Sequence, residues 1–335
     1  MRAVEVKDAS QVAEARRAAV GLAQAHGFSE EDAGRVAIVA TELATNMLKH
    51  GEGGVLLVGS YDDPTGSGIE CLALDKGPGM TNVAASMRDG HSTAGSPGTG
   101  LGAIKRGSHM SEIYSHPGAG TAILTRFSPG HPDPQRAPAS PDHGAVSVAM
   151  PGEEACGDGW CLKRQPDGLV VMVADGLGHG PFAAEAAHAA ARTFASAESV
   201  VPSAMLTAMH GALRPTRGAA IGIARIDEDS RQVVFAGVGN IAATIVGRTE
   251  KVQRMVSNNG TIGHIARHMR DFTYALDENE LLVILASDGL GTNWRLDAYP
   301  GLFAHHPTLI AGVLYRDFNR GRDDVTVLVV RTRIA

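Results

Sequence analysis

Cysteine is scarce in this chain: Cys71, Cys156 and Cys161 are the only three in 335 residues. Their spacing fits no zinc pattern and their number is odd. The sequence therefore predicts neither a disulfide framework nor a structural zinc site, and the thiols read as bystanders in a reducing compartment. No apolar run approaches the roughly 20 residues that a membrane-spanning helix needs. A basic excess is missing as well, since 30 Lys and Arg stand against 36 Asp and Glu, a formal net charge of −6. That balance argues against nucleic acid and anionic membrane as partners. Met1 to Asp8 carry charges throughout and do not read as a signal peptide. These absences lead us to expect a cytoplasmic protein with no membrane-borne sensor in the same chain. No internal repeat is found.

What is present suggests two domains, because 335 residues exceed what one compact core usually holds. Residues 128–142 contain five prolines and read as an extended linker. We expect a first domain over 1–127, a linker over 128–143 and a second domain over 144–335, both of α+β type.

The second domain is organised around one stretch, Leu169 to Gly180. Six apolar residues read as a fully buried strand, Asp175 sits at its carboxyl end, and Gly176, Gly178 and Gly180 follow. Pro181 then opens an alanine-rich helix at a position where proline is tolerated. A lone Asp-Gly is most simply a turn. Here, however, the pattern recurs at Leu281 to Gly289, with Asp288, and Asp323-Asp324 precedes the last apolar strand. Acids delivered repeatedly to the ends of buried strands are costly unless a cation gathers them. Asp158, Asp175, Asp288 and Asp323 form a set of hard oxygen ligands suited to Mg²⁺ or Mn²⁺, and two such ions can clamp a phosphate and activate water. No Ser, Cys or His stands in a triad-like context. His179 is open to two readings, a general acid beside the metals or a residue that shapes the turn; we favour the second.

Gly157-Asp158, Asp175-Gly176-x-Gly178-His179-Gly180, Ser287-Asp288-Gly289 and Arg322-Asp323-Asp324-Val325-Thr326 resemble the PPM (type-2C) protein serine/threonine phosphatases, nearest the SpoIIE/RsbX branch. The resemblance covers about residues 144–332 and implies a PPM-type β-sandwich flanked by helices. It implies that Asp175 bridges two metals, that the Gly176 carbonyl ligates one, and that Asp288 and Asp323 hold the second. Asp158 would orient water or a ligand, and Asp324 stands where many relatives have Asn.

In the first domain, residues 11–26 and about 29–50 read as helices, the second capped by Ser29. Glu42 and Asn46 lie four apart and share a face of the second helix, which for such a pair alone would be plain surface. Strands are expected at about 54–61 and 68–74, the latter ending in Asp75-Lys76-Gly77-Pro78-Gly79. Gly98-Thr99-Gly100-Leu101-Gly102 precedes a helix expected from about Ala103 and offers free backbone N–H groups to an anion. It is not a Walker motif, because no Gly-Lys-Ser/Thr ends it.

Thr41 to His50, Asp75-x-Gly77-x-Gly79 and Gly98 to Gly102, in that order, resemble the ATP-binding boxes of the GHKL superfamily, closest to its small serine kinases of RsbT and RsbW type. The resemblance covers residues 2–127 and implies a Bergerat-type α/β sandwich. By it, Asn46 coordinates the Mg²⁺ of ATP and Glu42 accepts the proton of the attacking seryl hydroxyl. Asp75 binds the adenine amino group, while Gly77 and Gly79 let the base approach. Gly98, Thr99, Gly100, Leu101 and Gly102 wrap the phosphates. No helix carrying a histidine-kinase acceptor is found.

Together the resemblances imply a bifunctional regulator of a bacterial partner-switching or stress pathway, with ATP, Mg²⁺ and Mn²⁺ as cofactors. Its implied partners are STAS-domain phosphoproteins of anti-anti-sigma or stressosome type. The alternative is a phosphatase whose first domain binds ATP and a partner without transferring phosphate. Glu42 favours the kinase, since nucleotide binding alone needs no base.

Overall fold

Two compact units divide the chain: residues 1–141 with 300–316, and residues 142–299 with 317–335. The computed structural model describes residues 1–83, 100–130, 142–249 and 251–333. The segment Pro300–Arg316, expected with the second domain, groups with the first unit. Among the described residues no helix is long and apolar enough to cross a membrane.

The first unit starts with β1 (Arg2–Val6) and α1 (Ala9–Ala25). Helix α1 begins two residues before the predicted start. Asp8 and Gln11 form a capping box there: Asp8 Oδ1 accepts from Ser10 N at 2.8 Å, and Asp8 N donates to Gln11 Oε1 at 3.1 Å. Ser29 caps α2 (Glu30–His50) as the sequence predicts, accepting from Asp32 N at 3.1 Å. Three acids in the first turn and Lys49 and His50 in the last complement the helix dipole. Strands β2 (Gly54–Asp63), β3 (Gly66–Asp75), β4 (Met110–Ser115) and β5 (Thr121–Phe127) complete an antiparallel sheet of order β1-β2-β3-β5-β4. Helix α3 (Gly100–Gly107) precedes β4. One sheet face packs Val4, Leu56, Ile69 and Ile123 against the buried stripe of α1 and α2, including Ala15, Ala19, Val36 and Leu43. The result is a two-layer α/β sandwich.

The second unit holds two five-stranded antiparallel sheets. One contains β7 (Asp158–Gln165), β8 (Gly168–Gly176), β9 (Ala219–Asp227), β10 (Gln232–Val238) and β13 (Phe272–Ala275). The other contains β6 (His143–Val148), β11 (Ala242–Gly247), β12 (Val252–Met255), β14 (Glu280–Ala286) and β15 (Val325–Arg333). Helices α4 (Pro181–Ser196) and α5 (Pro202–Ala212) cover the outer face of the first sheet. Strand β8 explains its own apolar run. Leu169, Val171 and Val173 face the core between the sheets, and Val170, Met172 and Ala174 face α4 and α5. Helix α6 (Pro307–Phe318) is buried from Pro307 to Tyr315; the part up to Arg316 belongs to the first unit.

Candidate nucleotide and metal sites

Helix α2 places Glu42 and Asn46 one turn apart beneath the first residue of α3. A Cβ built on Gly100 would lie 3.3 Å from both Glu42 Oε2 and Asn46 Oδ1, so only glycine leaves these groups unobstructed. Asn46 Nδ2 is buried and has no hydrogen-bond partner among the described residues. A buried donor left in that state costs about 1–3 kcal/mol, which a ligand would recover. Asp75 ends β3, and its Oδ1 accepts from Gly77 N at 3.0 Å and Thr121 N at 3.1 Å. Its Oδ2 has no described partner. Burial pushes the Asp75 carboxyl up, opposed by the two amides and by Arg316. Arg316 also donates to the Asp75 carbonyl at 3.1 Å, within the first unit.

Gly77 and Gly79 are needed by the protein itself. Added Cβ atoms would meet Gly51 Cα at 2.7 Å and the His116 carbonyl at 2.1 Å. Gly100, Leu101 and Gly102 lie within the first turn of α3, so the helix begins three residues before the predicted Ala103. Leu101 packs on the core. The expectations for Gly98 and Thr99 lie outside the described residues. The orphaned Asn46 amide beside Glu42, the close glycine approach at Gly100 and the Asp75 carboxylate at the end of β3 fit Mg²⁺-ATP.

In the second unit, side-chain alternation carries the inter-sheet core to one end, where it turns polar. Asp175 continues the row of Val171 and Val173, and Asp158 on β7 stands directly opposite it in register. From the facing sheet, Ser287 continues the row of Val283 and Leu285, and Thr326 that of Leu328 and Val330. Ser287 Oγ donates to Asp158 Oδ2 at 2.6 Å and accepts from Thr326 N at 2.9 Å. Asp288 follows Ser287 and accepts from Asn240 Nδ2 at 2.5 Å. Asp323 Oδ1 accepts from Asp324 N at 2.9 Å.

Asp324 is 2% exposed, and its two oxygens accept from Met150 N at 2.8 Å and Gly157 N at 2.9 Å. It thereby ties the loop before Asp158 to the start of β15. Gly178 and Gly180 have φ of 87° and 74°, which side-chain-bearing residues adopt only under strain. Within this turn, His179 Nδ1 lies 2.6 Å from Glu153 Oε1.

Glu153 and Asn240 were not singled out by sequence, and Ser287 and Thr326 entered only as motif neighbours with no role of their own. Their only signals were a turn acid after Pro151-Gly152, a Gly-Asn turn, and polar residues where apolar rows would otherwise continue.

Burial first, then Asp158, Asp288, Asp323 and Asp324, raises the Asp175 carboxyl well above the usual range. Asp158 is raised by burial and by Asp324 and Asp323, against the hydroxyl of Ser287. Among the described residues no three His, Cys, Asp or Glu side chains converge closely enough to enclose an ion as they stand. The chemistry of the donors nevertheless fits a hard divalent cation: all are carboxylates, and they repel one another.

This repulsion predicts a pH effect. Asp158 and Asp175 are raised to about 7 and about 8, so between the unfolded carboxylate range and those values the folded metal-free chain binds more protons than the unfolded one. Its stability is therefore greatest at low pH within that window and is lost as pH rises through the raised values. In chelator, thermal unfolding should fall by a few degrees between about pH 5 and about pH 8 relative to Asp175→Asn, and Mn²⁺ should restore it most at the higher pH. Equal pH dependence of the two proteins would contradict the electrostatic account.

Residues 6–126 match the family described as histidine kinase-like ATPase domain, and residues 165–333 match stage II sporulation protein E (SpoIIE). The serine/threonine-protein kinase RsbT of Bacillus subtilis (strain 168) is 32% identical over 109 residues, 32% of this chain and 82% of that protein. The phosphoserine phosphatase RsbX of the same organism is 31% identical over 90 residues, 27% of this chain and 45% of that protein. Among solved structures, a chain from work titled "The bacterial stressosome: a modular system that has been adapted to control secondary messenger signaling" is 29% identical with a TM-score of 0.51. That match covers 56% of this chain and 97% of that one.

Proposed function

Since the chain belongs to the SpoIIE family, with a histidine kinase-like ATPase domain ahead of it, we propose that it both adds and removes phosphate on serine or threonine of a partner protein. The partner is a STAS-domain phosphoprotein of a partner-switching pathway. The likeness to RsbT and RsbX, named as a kinase and a phosphatase, and to a stressosome chain supports this reading. The observation that carries it is the set of acids at the open end of the second sandwich, with Asp158 opposite Asp175.

For hydrolysis, Asp175, the Gly176 carbonyl, Asp288 and Asp323 would hold Mg²⁺ or Mn²⁺, with Asp158 orienting water. Such ions activate water and offset the charge of the phosphate. Asp324 and Ser287 hold Asp158 in place, and Asn240 orients Asp288. For transfer, Asn46 would hold the Mg²⁺ of ATP and Asp75 Oδ2 would accept from the adenine amino group. Glu42 takes the seryl proton as the γ-phosphoryl group passes to the seryl oxygen and ADP leaves. Phosphoryl transfer demands little more than this positioning and charge.

Two incubations test the reading. A phosphoseryl STAS protein with the chain and Mn²⁺, without ATP, should lose its phosphate. The unmodified protein with Mg²⁺-ATP and Asp288→Asn should gain it. Dephosphorylation alone, with ATP still bound, would make the first domain a binding module.

A further inference from the structure

The turn that joins α5 to β9 places a guanidinium against the Asp175 to Gly180 loop. Thr216 shapes this turn: its hydroxyl donates to the Leu213 carbonyl at 2.8 Å and accepts from Gly218 N at 3.0 Å. Leu177 N donates to the Gly218 carbonyl at 3.0 Å, which fixes the turn to the loop. Arg217, between them, is exposed. A Cβ on Gly178 would lie 3.1 Å from its Nη1, and its Cζ sits 4.8 Å from the centroid of the Phe182 ring. Among the described residues no carboxylate pairs with it, although acids crowd the neighbouring site.

Exposed apolar side chains lie at the same loop. Seven large hydrophobic residues are exposed in the described chain, and Leu177 (56%) and Phe182 (62%) are two of them. A third, Ile265, ends a loop whose Thr261 and Ile262 pack against Gly218. A cation beside a carboxylate cluster, unpaired and rimmed by apolar side chains, has no evident role in stability. An unpaired guanidinium is suited to phosphate, which it binds through a planar fork of donors, and stacking on Phe182 holds that fork ready.

We propose that Arg217 receives the phosphate of the phosphoseryl or phosphothreonyl substrate, and that Leu177, Phe182 and Ile265 take the apolar side chains flanking it in the partner protein. The occupant is thus a phosphorylated protein segment with apolar neighbours. A phosphate dianion approaches a cluster of negative charge that Arg320 offsets at Asp288, and Arg217 adds opposite charge beside Gly178. The proposal rests on the phosphatase reading and names its substrate-binding residue.

Kinetics with Mn²⁺ on a phosphoseryl peptide with apolar flanks and on p-nitrophenyl phosphate test it. They are paired with calorimetry of a peptide carrying a non-hydrolysable phosphonate in place of phosphoserine. Arg217→Ala should raise KM about 10- to 100-fold on both substrates, weaken phosphonate-peptide binding to match, and change kcat much less. Arg217→Lys should recover part of the loss, since it keeps the charge without the fork. Phe182→Ala should raise KM for the peptide several-fold more than that for p-nitrophenyl phosphate, which loses only the stacking that holds Arg217. Unchanged KM and phosphonate affinity in Arg217→Ala would overturn the assignment. If the unsubstituted chain hydrolyses neither substrate, the phosphatase reading falls, and phosphonate-peptide affinity alone decides the role of Arg217.

Discussion

Asp175→Asn is expected to lower kcat on a phosphoseryl protein by about three orders of magnitude or more, or about 4 kcal/mol of transition-state stabilisation. Asparagine keeps the shape and the position at the end of β8 but removes the charge. Asp175 is the carboxylate on which Asp158, Asp288, Asp323 and Asp324 all bear, so this one change weakens cation binding across the set. The same change relieves repulsion in the metal-free chain. Activity should therefore be lost while metal-free stability near pH 8 rises, a combination that simple misfolding cannot produce. ATP binding by the first unit should be unchanged. The assay is phosphate release over a Mn²⁺ series, read beside thermal unfolding in chelator. Turnover near that of the unsubstituted chain would remove Asp175 from the metal site.

Glu42→Ala should reduce phosphoryl transfer about 10²- to 10⁴-fold while leaving ATP affinity within a few-fold. A base matters chiefly as the seryl proton leaves, whereas a metal-holding amide contributes already in the bound state. Asn46→Ala should accordingly weaken Mg²⁺-ATP binding itself. The geometry makes the comparison fair: both side chains lie beneath Gly100 at the same distance, so neither substitution disturbs a region the other spares. Calorimetry with ATP and a transfer assay separate the two effects. Normal transfer by Glu42→Ala would exclude it as the base and favour the binding module.

Much of this was legible because the signals are local. Each candidate acid of the second unit ends or precedes an apolar run; strand alternation places Asp158 and Asp175 in the inter-sheet row, and Asp288 and Asp323 lie in the loops beside them. Ser29 and the acids after it marked the start of α2. The start of α1 was missed because Asp8 and Gln11 precede the first apolar residue of its periodic face. What stayed hidden depends on tertiary contact. Glu153 meets His179 across 26 residues, Asn240 meets Asp288 across 48, and Ser287 reaches Asp158 across 129. The role of Asp324 is open from sequence alone; in the structure its two oxygens accept from the Met150 and Gly157 amides. The grouping of Pro300–Arg316 with the first unit was equally unreadable. Its one sequence trace is that α6 is apolar on every side, as a helix buried all round must be.

A kinase and a phosphatase in one chain, acting on one partner, set a level of phosphorylation, because each raises the local concentration of the other's product. The most direct test follows ATP consumption and the mass of one STAS-domain protein together, with excess ATP, Mg²⁺ and Mn²⁺. The unsubstituted chain should consume ATP continuously in the presence of that partner while little phosphorylated partner accumulates. Asp288→Asn should consume about one ATP per partner site and then stop, with the partner fully phosphorylated; this expectation rests on loss of hydrolysis with transfer intact. An Asp288→Asn chain that leaves every partner unmodified, while the unsubstituted chain still dephosphorylates it, would contradict the account.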